Sequence, residues 1–139
     1  MIQKMLSAFT ERAYAALRIV AGLMWSFHGM QKILGVLAQH PKPAPGTQGW
    51  FGGLIELTCG LLIALGLFAS PAAFLASGTM AVAYIQFHWD FQFNRQIIPG
   101  MNGGELALLY SFLFLFIACK GAGPWSIDSR RAKRAETPA

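Results

Sequence analysis

The sequence predicts an all-α fold: an integral membrane bundle of four helices running up and down, with both termini cytoplasmic. Three observations predict it. The composition is 55% hydrophobic and only 12% charged, against about 25% charged in an ordinary soluble domain, and the mean hydropathy is +0.45. Apolar stretches at about 13–37, 50–69, 71–89 and 104–120 are separated by Pro/Gly-rich or polar breaks. Each approaches the ~20 residues that cross a bilayer as a helix. Third, Arg18, Gly22, Trp25, Gly29 and Lys32 fall on one stripe, because a helix turns by about 100° per residue. A charge in hydrocarbon costs about 3 kcal/mol or more, so such groups face a bundle interior and find partners. At 139 residues the chain is expected to be one domain, 1–139.

Residues 1–12 are a short polar lead with Lys4 and Arg12. The first span ends near Val36-Leu37-Ala38, which looks like a signal-peptidase site. The apolar stretch is longer than a signal-peptide core, and Gln31 and Lys32 interrupt its end, so it reads as a retained helix. Residues 38–49 are a Pro/Gly-rich loop that cannot continue it. Trp50 and Phe51 open the second span as interfacial anchors. Gly52, Glu56 and Gly60 then recur every four residues, which puts an acid on a small-residue face suited to close helix packing, within the bundle or between copies of the chain.

Ser70-Pro71 reads as a tight turn, with Pro71 opening the third span. Ser77, Ala81, Tyr84 and His88 share a face there. Residues 90–103 form an aromatic loop that either lies along the membrane surface or folds over the bundle. The fourth span has Glu105 at one end and Lys120 at the other; Gly121, Gly123 and Pro124 end it and Trp125 anchors it. A basic tail, 126–139, follows with Arg130, Arg131, Lys133 and Arg134. Beside a membrane span, such a run reads as an orientation signal that can touch anionic lipid rather than as a nucleic-acid site. An even number of spans places both termini together, and the basic ends put that side in the cytoplasm of a bacterial inner membrane.

Depth decides which polar groups can meet. His28 and Glu56 each lie roughly 10 Å below the outer interface at 1.5 Å per residue. Gln31 and Lys32 are shallower, and Gln86, His88, Asn102 and Glu105 fall near the outer ends of their spans. Every helix thus contributes polar groups to one outer-leaflet zone. Arg18 is the exception, some 15–20 Å deeper by the same rise, where its side chain is expected to snorkel to the inner headgroups. Cys59 and Cys119 sit at different depths inside apolar spans and read as small buried hydrophobes, not a disulfide. No metal-ligand spacing, phosphate loop, nucleophile elbow or haem motif occurs.

The order and spacing of several motifs resemble the DoxX family of small four-helix membrane proteins. They are Arg18 with Gly22, His28-Gly29-x-Gln31-Lys32, Glu56-x3-Gly60, Gly66-Leu67, Gly103-Gly104-Glu105 and Gly121-x-Gly123-x2-Ser126-Ile127-Asp128. The likeness runs from about residue 14 to 128. It departs at Ala69-Ser70, where family members often carry Thr-Arg. The resemblance implies a role beside oxidoreductase systems; the name-giving member is the membrane subunit of an archaeal thiosulfate:quinone oxidoreductase.

The resulting expectation is a membrane subunit of an oxidoreductase system that binds a quinone or a similar lipid-soluble molecule. Glu56 and Glu105 would handle protons. His28, Gln31, Lys32, Arg18, His88, Asn102 and Trp25 would bind or position the molecule. The same groups also suit a purely structural role, with Lys32 pairing with Glu56 or Glu105 to tie helices together. Nothing in the chain carries electrons, so a bound quinone or a partner must hold them. The expected partners are the lipid bilayer, a soluble or membrane oxidoreductase and a second copy of the chain. A small transporter, or a scaffold docking a soluble enzyme, are the alternatives.

Overall fold

The computed structural model describes residues 2–135; Met1 and residues 136–139 of the expected tail lie outside the described residues. Among the described residues the fold is all-α, with no strand. Its helices are α1 (Ile2–Ser7), α2 (Thr10–Leu34), α3 (Gln48–Leu65), α4 (Ala69–Ala83), α5 (Pro99–Asn102), α6 (Glu105–Lys120) and α7 (Ile127–Ala135). A π-helical stretch, Tyr84–Trp89, prolongs α4, and a 3-10 turn, Arg95–Ile97, precedes α5.

Several boundaries differ from the expected ones for local reasons. The lead is a helix, α1, with Ile2, Met5 and Leu6 exposed. α2 stops at Leu34 because Gly35 takes a left-handed conformation (φ 73) and its N–H closes on Gln31 O, the usual way a helix ends. The turn between α3 and α4 falls at Gly66–Phe68, not at Ser70-Pro71, with Gly66 and Phe68 both left-handed (φ 64 and 49). Pro71 is therefore the third residue of α4, where its missing N–H has no intrahelical partner to lose. The cap comes from far along the chain: the Asp128 carboxylate accepts from Phe68 N and Ala69 N, both at 3.1 Å. Most of the tail is α7, and its first turn supplies this cap.

Glycines set how closely α2 and α3 approach. A Cβ on Gly22 would lie 2.6 Å from both Gly60 O and Ala64 N, and one on Gly29 would lie 2.6 Å from Gly53 O. The two antiparallel helices therefore meet backbone to backbone. The small-residue face expected at Gly52, Glu56 and Gly60 is realised as Gly53, Glu56 and Gly60; Gly52 points away, with no atom within 4 Å of a Cβ built there. α4 packs on α6 in the same pairwise way, through Ala72, Ala73, Ala76 and a hydrogen bond from Ser77 Oγ to Ser111 O at 2.8 Å. Aromatic side chains join the two pairs. Trp25 lies 4.9 Å from Phe114 between ring centroids and its Nε1–H points at Met80 Sδ, 3.1 Å away.

Arg18 closes the opposite end from the expected site, and it does not snorkel. It is fully buried. Its Nη1 donates to Ile63 O and to Ala64 O (2.8 Å), and its Nη2 donates to Trp125 O (3.0 Å). The last carbonyls of a helix lack intrahelical donors and carry the negative end of its dipole, so the C-terminus of α3 holds the guanidinium. Nearby, Tyr14 Oη donates to Gly121 O and Lys120 pairs with Glu11 at 2.7 Å. The start of α2, the end of α6 and the cap of α7 thus gather at one end. Both cysteines are free; Cys59 is buried, while Cys119 lies exposed, not buried as expected.

Among the described residues one helix, α3, is long and apolar enough to cross a membrane by itself. α2 has 25 residues but includes Glu11, Arg12, Arg18 and Lys32. α6 has 16 residues, and α4 has 15 before its π-helical prolongation.

Candidate functional site

At the end of the bundle away from Arg18, Lys32 on the last turns of α2 reaches Glu56 on α3. Nζ and Oε1 are 2.6 Å apart. Gly29 and Gly53 bring the two backbones into contact one turn away, so the pair sits where little space separates the helices. Glu56 is only 7% exposed, and its second oxygen, Oε2, is buried with no hydrogen-bond partner among the described residues. The Lys32 side chain keeps 40% of its surface exposed.

Three cavities meet at Lys32. A central one of about 310 Å³ lies between α2, α6 and the end of α4, bounded by Trp25, His28, Met80, His88 and Tyr110. A cleft of about 510 Å³ runs between α3 and α4, past Phe51, Gly52, Ile55, Phe74, Gly78 and Phe87. An outer chamber of about 430 Å³ lies under the 38–43 loop, with His28, Gln31 and His40. Lys32 lines all three, Glu56 lines the cleft and the central cavity, and His28 lines the central cavity and the outer chamber.

The structure therefore brings together Trp25, His28, Lys32, Glu56 and His88 from the expected set. Gln31 borders only the outer chamber, and its amide donates to Leu37 O at 3.0 Å. Asn102 folds the outer loop: it accepts from Gly104 N and donates to Gln96 O, each at 2.7 Å. Its carbonyl lies 3.3 Å from His88 Nδ1. Glu105 is exposed, lines none of the three cavities and makes no ion pair among the described residues. α6 turns Ala107, Tyr110 and Phe114 inward, and Glu105 lies about 200° around the helix from Ala107. Arg18, bonded to backbone carbonyls at the other end, takes no part in the cluster.

Met80 and Tyr110 also line the central cavity, and neither was singled out from the sequence. Tyr110 shares the buried α6 stripe with Ala107 and Phe114, a spacing legible in the sequence. Tyr84 stacks on His88, with centroids 6.5 Å apart, within the π-helical stretch. Such turns have no sequence signature and often occur at functional sites.

Chemically, the arrangement offers one carboxylate oxygen held by an ammonium and one buried acceptor that has no partner among the described residues. Lys32 retains two further N–H donors toward the cavities. Among the described residues no three His, Cys, Asp or Glu side chains gather to hold a metal ion.

Fold and site together define a small helical protein whose polar centre is enclosed by helices with apolar outer faces. The chain belongs to the DoxX family, whose model matches residues 13–89, from α2 through the π-helical stretch. That membership points to a small membrane protein associated with the lipid bilayer. The chain is also similar to a protein of Haemophilus influenzae described as uncharacterized, with 40% identity over 127 residues, 86% of this chain and 91% of that one. No solved structure matches it.

Proposed function

We propose that this is a multi-pass protein of a bacterial inner membrane and the membrane subunit of an oxidoreductase system. It binds a quinone or a similar lipid-soluble molecule at the Lys32–Glu56 pair. Four helices, α2, α3, α4 with its prolongation, and α6, span the bilayer, and both termini are cytoplasmic.

Apolar side chains on the outward faces support the membrane arrangement. Val20, Leu23, Leu61, Phe74, Leu109 and Phe112 are all exposed, and large apolar side chains on the outward faces of all four helices suit lipid better than water. The basic residues of α7 share an end with the start of α2, as the positive-inside rule requires of a cytoplasmic end.

The observation that carries the binding reading is the unpartnered Glu56 Oε2 beside Lys32. A buried acceptor left unmade costs about 1–3 kcal/mol, and a ligand hydroxyl removes that cost. Lys32 would donate to a quinone carbonyl oxygen, and Glu56 would accept a hydrogen bond from the hydroxyl of the reduced form and take or return its proton. His28 and His88 flank the same cavity and pass protons onward. The electrons belong to the bound molecule and to a partner oxidoreductase. Glu105, exposed on α6, stands outside this assignment.

The transport reading finds less support. Below the pair Trp25, Phe114, Ile63 and Ile117 are all fully buried, which plugs the bundle between the site and Arg18.

Mass spectrometry of the organic extract from gently purified protein tests the proposal. The expected result is a stoichiometric quinone that Glu56→Gln removes while the protein still inserts. An extract of bulk phospholipid alone refutes it.

A further inference from the structure

We propose that the ligand enters from the side, through the cleft between α3 and α4, and that it is an uncharged bilayer-borne amphiphile. It has one hydrocarbon chain and a head bearing an O–H donor. This deepens, and rests on, the reading of Lys32 and Glu56 as the binding pair.

The cleft lies at the seam between the two tightly packed helix pairs. Its outer lip is bridged, because the Gln48 side-chain amide on α3 donates to the Gln86 side chain in the π-helical stretch. Its long side is open: a Cβ built on either Gly52 or Gly78 would have no neighbour within 4 Å. Phe74 and Phe87 border that opening and are 68% and 67% exposed. A rim of this kind faces hydrocarbon, not water. Along the cleft the Thr79 hydroxyl is already engaged with Leu75 O at 2.9 Å, so the passage is apolar until it reaches Lys32 and Glu56. Its 510 Å³ lies within the roughly 300–1,000 Å³ typical of ligand sites.

Charge then selects the head. Lys32 and Glu56 already neutralise one another at 2.6 Å. An anionic or cationic head would bring an unbalanced charge into a low-dielectric floor, an arrangement proteins avoid. A hydroxyl donates to the orphaned Oε2 and accepts from the Lys32 ammonium without adding charge. Fatty acids and phospholipids are thereby disfavoured, and a single-chain alcohol or hydroquinone fits.

The test uses the full chain in nanodiscs and three probes: 2-decylhydroquinone, chainless hydroquinone and dodecanoate. Gly52→Leu and Gly78→Leu fill open space, so both variants should keep the unmodified melting temperature. The expected result is that they weaken decylhydroquinone binding roughly tenfold or more and leave chainless hydroquinone within a factor of about two. Dodecanoate should not compete. Unchanged decylhydroquinone binding in both variants overturns side entry. Competition by dodecanoate at the same concentration as the neutral probe overturns the uncharged head. If neither neutral probe binds the unmodified protein, the Lys32–Glu56 site itself is refuted and the proposal falls with it.

Discussion

Replacing Lys32 by Met isolates the energetic role of the ion pair. The substitution keeps most of the chain length that packs against Gly53 and removes the partner that Glu56 Oε1 has among the described residues. Glu56, 7% exposed, then holds two unpartnered oxygens. Breaking a buried pair from one side typically costs about 3–5 kcal/mol. Because 40% of the Lys32 side chain meets solvent, screening lowers the expectation to about 2–3 kcal/mol. The double variant Lys32→Met with Glu56→Leu leaves no orphan, and its stability should return to within about 1 kcal/mol of the unmodified protein. Reversible unfolding in mixed SDS micelles, followed by circular dichroism for both single variants and the double, measures the coupling. A double variant as damaged as the sum of the singles would refute the claim that the two residues act as a unit.

Three further outcomes follow from the same geometry. Gly53→Ala and Gly22→Ala force α2 and α3 apart and should lower stability by about 1–3 kcal/mol, whereas Gly52→Ala, in open space, should be neutral or stabilise by up to about 1 kcal/mol; a thermal melt series in one detergent separates them. Asp128→Ala removes the cap on Phe68 N and Ala69 N and should cost about 1 kcal/mol, with faster proteolysis of the 122–135 segment as its readout; unchanged cleavage would count against the cap. Glu105→Gln should leave quinone content within a factor of about two under conditions where Glu56→Gln abolishes it, and equal loss from both would place Glu105 back at the site.

Much of the site was legible from spacing and depth. The stripe Arg18, Gly22, Trp25, Gly29 and Lys32 predicted the inward face of α2, and the first four of these are buried. Glu56 on a small-residue face, at the depth of His28, predicted that α2 and α3 would meet near a charge. Glu105 lies outside the three cavities because depth along α6 says nothing of its direction around α6. The cleft beside Gly52 and Gly78 was not foreseen, since an empty volume belongs to no single helix.

The amino-acid sequence alone determined the helical class and the inward stripe of α2, because those depend on burial and on the 3.6-residue period within one segment. Tertiary structure alone decided that Lys32 pairs with Glu56 and leaves Glu105 outside, that Gly53 and not Gly52 is the contact residue, and that Arg18 ends on the carbonyls of Ile63, Ala64 and Trp125. Each of these turns on the rotation of one helix about its axis against another. A step of about 100° exchanges neighbouring residues at an interface while leaving the pattern within each helix unchanged. Backbone carbonyls, moreover, are present at every residue, so no sequence pattern marks the ones that a buried arginine will find.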